Sequence, residues 1–133
     1  FSSTGNGTDF GEAIVGIPGG VGSSNSVRSV VAGGYTIPGG VREKRIEFFN
    51  MVSLGESYFF GDLTRKTSGA AVGSCSNSVR GLFVGGYSYP SIVNTIDFIT
   101  FASAGNAQDF GDLDQPAGQL GTASDAHGGL GGY

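Results

Sequence analysis

The sequence is poor in the residues that most often carry chemistry. It contains no tryptophan, one methionine, one cysteine and one histidine. A lone thiol, Cys75, cannot form an internal disulfide, so the fold does not depend on oxidation. We interpret Cys75 as a small core residue rather than a nucleophile, because the only candidate base, His127, lies in a different copy of the sequence repeat described below.

Charge is also scarce, and its balance is slightly acidic. Seven Lys and Arg against eleven Asp and Glu give a net charge of -4 over 133 residues. Phosphate binding needs clustered cations, and the one basic cluster, Arg42, Lys44 and Arg45, is interleaved with Glu43 and Glu47. We interpret it as a solvated strand edge or loop. No apolar run is long enough to cross a bilayer, so the sequence predicts neither a nucleic-acid partner nor a membrane span.

Glycine, by contrast, is abundant. The chain has 26 glycines, together with ten Phe and five Tyr. The glycines lack the three-residue period of collagen, and the aromatic content is too high for a flexible linker. Because glycine at this density disfavours helix, the composition predicts an all-β fold of short strands joined by glycine-bearing turns.

A repeat of about 50 residues organises the chain. A phenylalanine followed by glycine recurs every 50 residues, at Phe10, Phe60 and Phe110. The segment Ile46-Glu47-Phe48 matches Ile96-Asp97-Phe98 at the same spacing. Two apolar segments, each opened by an arginine, end in Gly-Gly-Tyr, and a third Gly-Gly-Tyr is found at residues 131–133. The repeated structural positions are Phe10, Phe60, Phe110, Arg28, Arg80, Gly33, Gly34, Tyr35, Gly85, Gly86, Tyr87, Gly131, Gly132 and Tyr133.

Each repeat predicts four strands. In the most complete copy they lie near residues 70–75, 81–87, 95–101 and 107–113, with turn-forming residues between them. The third strand alternates, which places Ile96 and Phe98 on one face and Asp97, Ile99 and Phe101 on the other. We expect the following apolar residues to be buried: Val30, Val31, Leu82, Phe83, Val84, Ile96 and Phe98.

A four-stranded unit with this period is typical of a β-propeller blade. The order of the segments matches the kelch type of blade, with Phe60 and Phe110 in place of the usual outer-strand tryptophan. We therefore predict an all-β fold of kelch-like β-propeller blades forming an incomplete ring. Residues 1–13 are the outer strand of a preceding blade, residues 14–63 and 64–113 are blades, and residues 114–133 are the first two strands of a further blade.

Such a segment leaves apolar sheet faces that it cannot bury alone. We expect other copies, or the rest of a longer propeller chain, to cover them. Arg28 and Arg80 open equivalent strands. We expect each to bond carbonyl groups of a neighbouring blade, or an acid such as Asp112.

The amino-acid sequence of the repeat resembles that of a narrower group of proteins. The segments Asp109-Phe110-Gly111-Asp112-Leu113, Arg80-Gly81-Leu82-Phe83-Val84-Gly85-Gly86-Tyr87 and Asn94-Thr95-Ile96-Asp97-Phe98 are similar to kelch-like repeats of virion structural and tail-fibre proteins of marine bacteriophages. The resemblance implies a non-enzymatic structural and binding module of a phage virion, in a tail fibre or appendage. It implies other virion proteins as partners, and a host-surface glycan or protein as ligand.

Two alternatives stay open. A secreted or cell-surface bacterial adhesin could be built from the same repeat, and propeller scaffolds also carry enzymes. Such enzymes need metal ligands or clustered acids and arginines, and neither pattern is present. The acids Asp62, Asp109, Asp112 and Asp114 lack the spacing of a calcium loop. We therefore predict no catalytic residue, no cofactor and no metal ligand.

Asp9-Phe10-Gly11 and Asp109-Phe110-Gly111 spell the metal-binding triplet of protein kinases. A kinase also needs a glycine-rich phosphate loop, a strand lysine and a catalytic loop, and this chain is too short for them. Since the triplet recurs with the repeat, we interpret it as architectural.

Recognition is expected in the loops. The segments that break the repeat register are residues 18–24, 36–44 and 88–93, which suits surface loops. Tyr89 is the candidate ligand-contact residue, because Tyr35 and Tyr87 are expected to pack between blades. We expect residues 36–44 and 88–93 to lie on one face of the molecule.

Overall fold

The computed structural model describes residues 4–16, 18–68 and 72–123, and the strands within them form antiparallel sheets. No helix is assigned to the described residues, which confirms the predicted all-β fold class. None of them therefore belongs to a helix able to cross a membrane. The positions Gly131, Gly132 and Tyr133, and also His127, lie outside the described residues.

Sheet 1 is a four-stranded antiparallel meander in which each strand pairs with the next along the chain. Its turns carry Gly, Pro, Asn and Ser, which favour chain reversal, and its last two strands are joined with register shifts that bend the sheet. The strands are β1 (Val21–Ser24), β2 (Arg28–Ala32), β3 (Glu43–Asn50) and β4 (Tyr58–Thr67).

Sheet 2 repeats the same meander, with a small hairpin inserted between its second and third strands. The strands of the sheet are β5 (Gly73–Ser76), β6 (Arg80–Val84), β9 (Thr95–Thr100) and β10 (Gln108–Asp112). The hairpin consists of β7 (Tyr87–Ser88) and β8 (Ser91–Ile92). The predicted strands match those of sheet 2 to within a few residues at each end.

Paired glycines end the second strand of each sheet. Gly33 and Gly34 have φ angles of 66° and 102°, and Gly85 and Gly86 have 61° and 104°. L-residues with a side chain rarely adopt this region. A Cβ atom at Gly85 would also lie 2.4 Å from the carbonyl oxygen of Ala117. Glycine is required here by its backbone angle and by the close approach of a second chain segment.

The core lies between the two sheets. Register places Val30 beside Phe48 and Ala32 beside Ile46 on the face of sheet 1 that meets sheet 2. Sheet 2 turns the other face of its repeat toward sheet 1. Phe83, which pairs with Asp97, lies on that face. The buried apolar residues that form one cluster are Val30, Ala32, Ile46, Phe60, Leu63, Val72, Phe83, Ile99, Phe101 and Ala107.

The predicted set of buried residues was wrong for four of its members. Val30, Phe83 and Val84 are buried, whereas the other four are only half-buried. The predicted alternation of β9 is present, but the face that sheet 1 covers is the one that carries Ile99. The half-buried residues belong to the two faces that point away from the shared core, and they are Val31, Leu82, Ile96 and Phe98.

Two segments outside the sheets extend the repeat at either end. Residues 4–16 contain no assigned strand, yet the N–H groups of Gly55 and Ser57 donate to the carbonyl oxygens of Phe10 and Glu12 (both 2.9 Å). At the other end, the Thr122 hydroxyl donates to the carbonyl oxygen of Ser74. Both sheets therefore have a neighbouring chain segment on their outer side.

Candidate functional site

The two loops singled out in the sequence lie side by side. Residues 36–44 include most of the link from β2 to β3 and the start of β3, and residues 88–93 include most of the hairpin in the equivalent link of sheet 2. The Cζ atom of Arg42 lies 4.9 Å from the ring centroid of Tyr87 and 5.3 Å from that of Tyr89. At these distances a guanidinium is attracted to an aromatic face. Arg42 of one loop therefore contacts the other loop directly, as the expectation of a shared face required.

Tyr89 stands at the tip of this cluster. It is 71 % exposed, and its ring meets that of Tyr87 edge-on, with 6.4 Å between the centroids. The hairpin is tied to sheet 1 by the Ser88 hydroxyl, which donates to the carbonyl oxygen of Lys66 (2.9 Å). Tyrosine has few rotatable bonds and offers a large contact area at low entropic cost. The arrangement presents a supported aromatic ring to solvent.

Arg42 is held by the two rings rather than by a hydrogen bond at its Nε atom. That atom is buried and has no partner among the described residues. Further exposed apolar side chains stand on the same two loops, and they are Ile37, Val41 and Ile92. Exposed apolar groups gathered on loops, rather than scattered singly, are typical of an interaction surface.

The tyrosines of the Gly-Gly-Tyr repeats differ in environment. The carbonyl oxygen of Tyr87 accepts hydrogen bonds from the Thr67 hydroxyl and the Ser68 N–H, both at 3.1 Å. Tyr87 thus lies between the end of sheet 1 and its own sheet. Its counterpart Tyr35 is exposed, because no further sheet precedes sheet 1 within the described residues.

The two repeat arginines also differ. Arg28 stacks on Phe48, with its Cζ atom 4.9 Å from the ring centroid, and donates to the carbonyl oxygen of Phe101 in sheet 2. Arg80 stacks on Phe98 in the same way, at 5.2 Å, but it is exposed. A contact with a neighbouring carbonyl is therefore made by Arg28, whereas Asp112 accepts no bond from either arginine among the described residues.

Two buried carboxylates hold junctions of the fold that the sequence reasoning missed. Glu47 and Asp97 occupy the same repeat position, and both are essentially inaccessible to solvent. Glu47 accepts the Ile14 N–H at 3.1 Å and the Ser57 hydroxyl at 2.7 Å. The signal that could have found them is an acid held at a fixed place within an apolar strand pattern.

Asp97 is the better satisfied of the two acids. It accepts the Thr64 hydroxyl at 2.6 Å and pairs with the Arg65 guanidinium at 3.0 Å. Arg65 continues across the junction and donates to the carbonyl oxygen of Gly85 at 2.6 Å. A buried ion needs such a full set of partners to offset its lost hydration. Asp97 therefore fastens the end of β4 onto sheet 2.

The kinase-like triplets act as turns. The Asp9 carboxylate accepts the N–H of Gly11 (3.1 Å), and the Asp109 carboxylate accepts the N–H of Gly111 (2.8 Å). This local bond is the usual turn-forming role of aspartate. Across the described residues, no group of three or more His, Cys, Asp or Glu side chains is arranged to hold a metal ion.

A groove of about 430 Å³ runs between Phe60 of sheet 1 and the turn that precedes β10. Phe98, Thr100, Ser103 and Gln108 also line it, and none of its lining residues is charged. Neither this groove nor the loop cluster contains a nucleophile paired with a base.

A scan against protein-family models finds no match, and a search of the curated proteins finds none either.

Proposed function

We propose that this chain is a segment of a kelch-like β-propeller that serves as a non-enzymatic structural and binding module of a phage virion, in a tail fibre or appendage. The recurrence of one junction carries the structural half of the proposal. The N–H of Ala107 donates to the carbonyl oxygen of Asp62 (2.8 Å). One repeat earlier, the N–H of Ser57 donates to that of Glu12 (2.9 Å).

The inner strands repeat in the same manner. The Ser74 hydroxyl donates to the carbonyl oxygen of Gly22, and the Thr122 hydroxyl donates to that of Ser74. Successive repeats thus stand in one relation at both the inner and the outer strand. A constant relation between four-stranded sheets is what a propeller needs, and it supports the propeller architecture over a pair of unrelated sheets.

The loop cluster carries the binding half. Tyr89 offers an exposed ring beside a cation, and the surrounding loops add apolar contact area without any catalytic group. An aromatic face suits stacking against a sugar ring, and the same surface suits a protein partner. The resemblance of the repeat to virion and tail-fibre proteins supports a location on the extracellular virion, with other virion proteins and a host-surface glycan or protein as partners.

The test compares two alanine variants. Tyr89→Ala removes an exposed ring, so we expect binding to host cells, and to an array of bacterial surface polysaccharides, to fall about tenfold or more. Its melting temperature should equal that of the parent. Phe83→Ala opens a cavity in the shared core and should instead lower stability by about 3–5 kcal/mol.

Tyr58→Ala is the matched control, because Tyr58 is also an exposed tyrosine but lies on β4, outside both loops. It should bind like the parent. Equal binding by Tyr89→Ala and the parent would show that the loops are connectors only.

A further inference from the structure

The link from β2 to β3 and the link from β6 to β9 share one backbone frame. The N–H of Glu43 donates to the carbonyl oxygen of Gly34 (2.9 Å), and the N–H of Val93 donates to that of Gly86 (3.0 Å). The two links differ in length at their tips, while these closing bonds are the same. Side chains at equivalent places on the frame can therefore be compared directly.

Two side chains on this frame are not repeated. Arg42 occupies on the first link the place of Ile92 on the second, since each pairs with the tyrosine of its own Gly-Gly-Tyr segment. The residue that precedes the proline is Ile37 in the first link and Tyr89 in the second. Because each place also accepts isoleucine, the frame itself requires neither Arg42 nor Tyr89. These two residues are nevertheless the ones that meet across the links.

The guanidinium of Arg42 lies in a corner formed by two tyrosine rings. Its Cζ atom is 4.9 Å from the ring centroid of Tyr87 and 5.3 Å from that of Tyr89, and the two ring planes are 82° apart. The Nε atom is buried without a partner among the described residues, and the side chain as a whole is half-buried. The rings attract the cation and withdraw it from water, but they do not neutralise its charge.

Among the described residues, no ion pair includes Arg42. Glu43, its neighbour in sequence, lies on the opposite face of the strand, where it lines a small cavity with Val15 and Arg45. The second link, residues 85–95, contains no acidic residue. Other acids near the two links are paired with other cations: Asp62 with Lys44, Glu47 with Arg45 and Asp97 with Arg65. The corner therefore carries an uncompensated positive charge in a chain whose net charge is -4.

We propose that the corner of Arg42, Tyr87 and Tyr89 binds an acidic polysaccharide, through a sugar residue that carries an oxyanion. The exposed ring of Tyr89 supplies the stacking surface for the sugar, and the guanidinium of Arg42 pairs with its carboxylate. A guanidinium matches a planar carboxylate with two parallel hydrogen bonds. Partial withdrawal from water strengthens such a pair, because the local dielectric is lower.

This inference rests on the binding half of the proposed function and narrows its ligand to an acidic glycan. A sulfate ester offers Arg42 the same oxyanion contact as a carboxylate does, so the probes include both. Polygalacturonate and alginate carry carboxylates, and dextran sulfate carries sulfate esters. Methyl-esterified polygalacturonate and dextran are the matched polymers without the charge.

Calorimetry of the full chain with each polymer tests the class of ligand. We expect at least one acidic polymer to bind about tenfold or more tightly than its neutral counterpart, and the affinity to fall as salt is added. Preference for polygalacturonate or alginate would identify a carboxylate, and preference for dextran sulfate alone would identify a sulfate ester. Equal binding of acidic and neutral polymers, or no binding of any acidic polymer, would overturn the proposal.

Substitutions of Arg42 test the site. Arg42→Gln removes the charge, so we expect the affinity for the acidic polymer to fall about tenfold or more, with a melting temperature close to that of the parent. Arg42→Lys keeps the charge but cannot form the two parallel bonds, so it should recover only part of the loss.

Arg80→Gln is the matched control. The guanidinium of Arg80 also lies over an aromatic ring, that of Phe98 (5.2 Å), and Arg80 is exposed, but it lies on β6, outside both links. The variant should bind like the parent. Equal losses for Arg80→Gln and Arg42→Gln would show that the polymer responds to overall charge, and would overturn the site.

Failure of this inference is distinguishable from failure of the proposed function. If Tyr89→Ala weakens binding to host cells and Arg42→Gln does not, the loops bind a ligand that is not acidic, and the present inference alone is wrong. If neither variant weakens binding to host cells or to the acidic polymers, both are wrong.

Discussion

Two faces of this molecule carry the same residues and differ in what lies on them. The face with Arg28, Phe48 and Phe60 is core, and the face with Arg80 and Phe110 is surface. Phe60 and Phe110 share a repeat position, yet they are 3 % and 53 % exposed. The residues at the two positions are nearly the same. Whether a residue of this repeat is buried therefore depends on whether a neighbouring sheet covers it.

The junctions on either side of sheet 1 offer a second comparison. Both use a buried acid and a backbone N–H from the preceding outer segment, with Glu47 in one and Asp97 in the other. At the junction between the sheets the preceding outer segment also supplies an arginine, Arg65, to the acid; the corresponding residue of the first junction is Val15. The backbone part of the junction is repeated, while the side chains that surround the acid differ: at the first junction Glu47 accepts the Ser57 hydroxyl (2.7 Å) and lies 3.6 Å from the Arg45 guanidinium.

The strongest challenge to the first comparison is truncation of the two equivalent rings. Phe60→Ala should destabilise the chain by about 4 kcal/mol, because it leaves a cavity between the sheets. Phe110→Ala should cost under about 1 kcal/mol, because its ring is already exposed. Urea denaturation of both variants, at one low protein concentration, gives the two values. Equal losses would show that both faces are covered in solution.

The next largest effect concerns the buried acid. Asp97→Asn keeps the shape of the side chain but leaves the Arg65 charge without its partner, so we expect a loss of about 3 kcal/mol. Asp112→Asn, an exposed acid on the next strand, should change stability by less than about 0.5 kcal/mol. Both are measured by chemical denaturation.

A double variant, Asp97→Asn with Arg65→Gln, refines that measurement. Its loss of unfolding free energy should be smaller than the sum of the losses of the two single variants, since the second change removes the unpaired charge of Arg65. Additive losses would mean that the two side chains do not interact across the junction.

The smallest effect is expected at a surface pair found on sheet 1 but not on sheet 2. Lys44 and Asp62 are 3.1 Å apart and partly exposed, whereas Asn94 replaces the lysine in sheet 2. Lys44→Ala should cost about 0.2–1 kcal/mol, and the difference should shrink in high salt. A loss as large as that of Phe60→Ala would mean that charge, and not covering, separates the two sheets.

Much of the fold could be read from the residues. Glycine content, the 50-residue spacing and the alternation of β9 predict short antiparallel strands and assign Ile96 and Ile99 to opposite faces, because side chains alternate along any strand. They could not say which face is covered. Both faces of the repeat are apolar, so four residues expected in the core, among them Leu82 and Phe98, are only half-buried.

The candidate sites, like the fold, could be predicted from the sequence only in part. Register breaks marked the loops that hold Tyr89, because insertions are tolerated only where packing does not set the length. The contact of Arg42 with Tyr87 and Tyr89, and that of Arg65 with Asp97, join residues far apart in sequence, and no local pattern encodes them.

By itself, the sequence determined the strands, their alternation and the glycine positions, since these follow from backbone sterics and from a period that each repeat restates. Only the tertiary structure decided that Glu47 and Asp97 are buried at junctions, that Arg28 is paired while Arg80 is exposed, and that Phe60 is core while Phe110 is surface. The physical reason is that burial depends on which surface lies opposite, and equivalent residues have different neighbours at the two ends of the array.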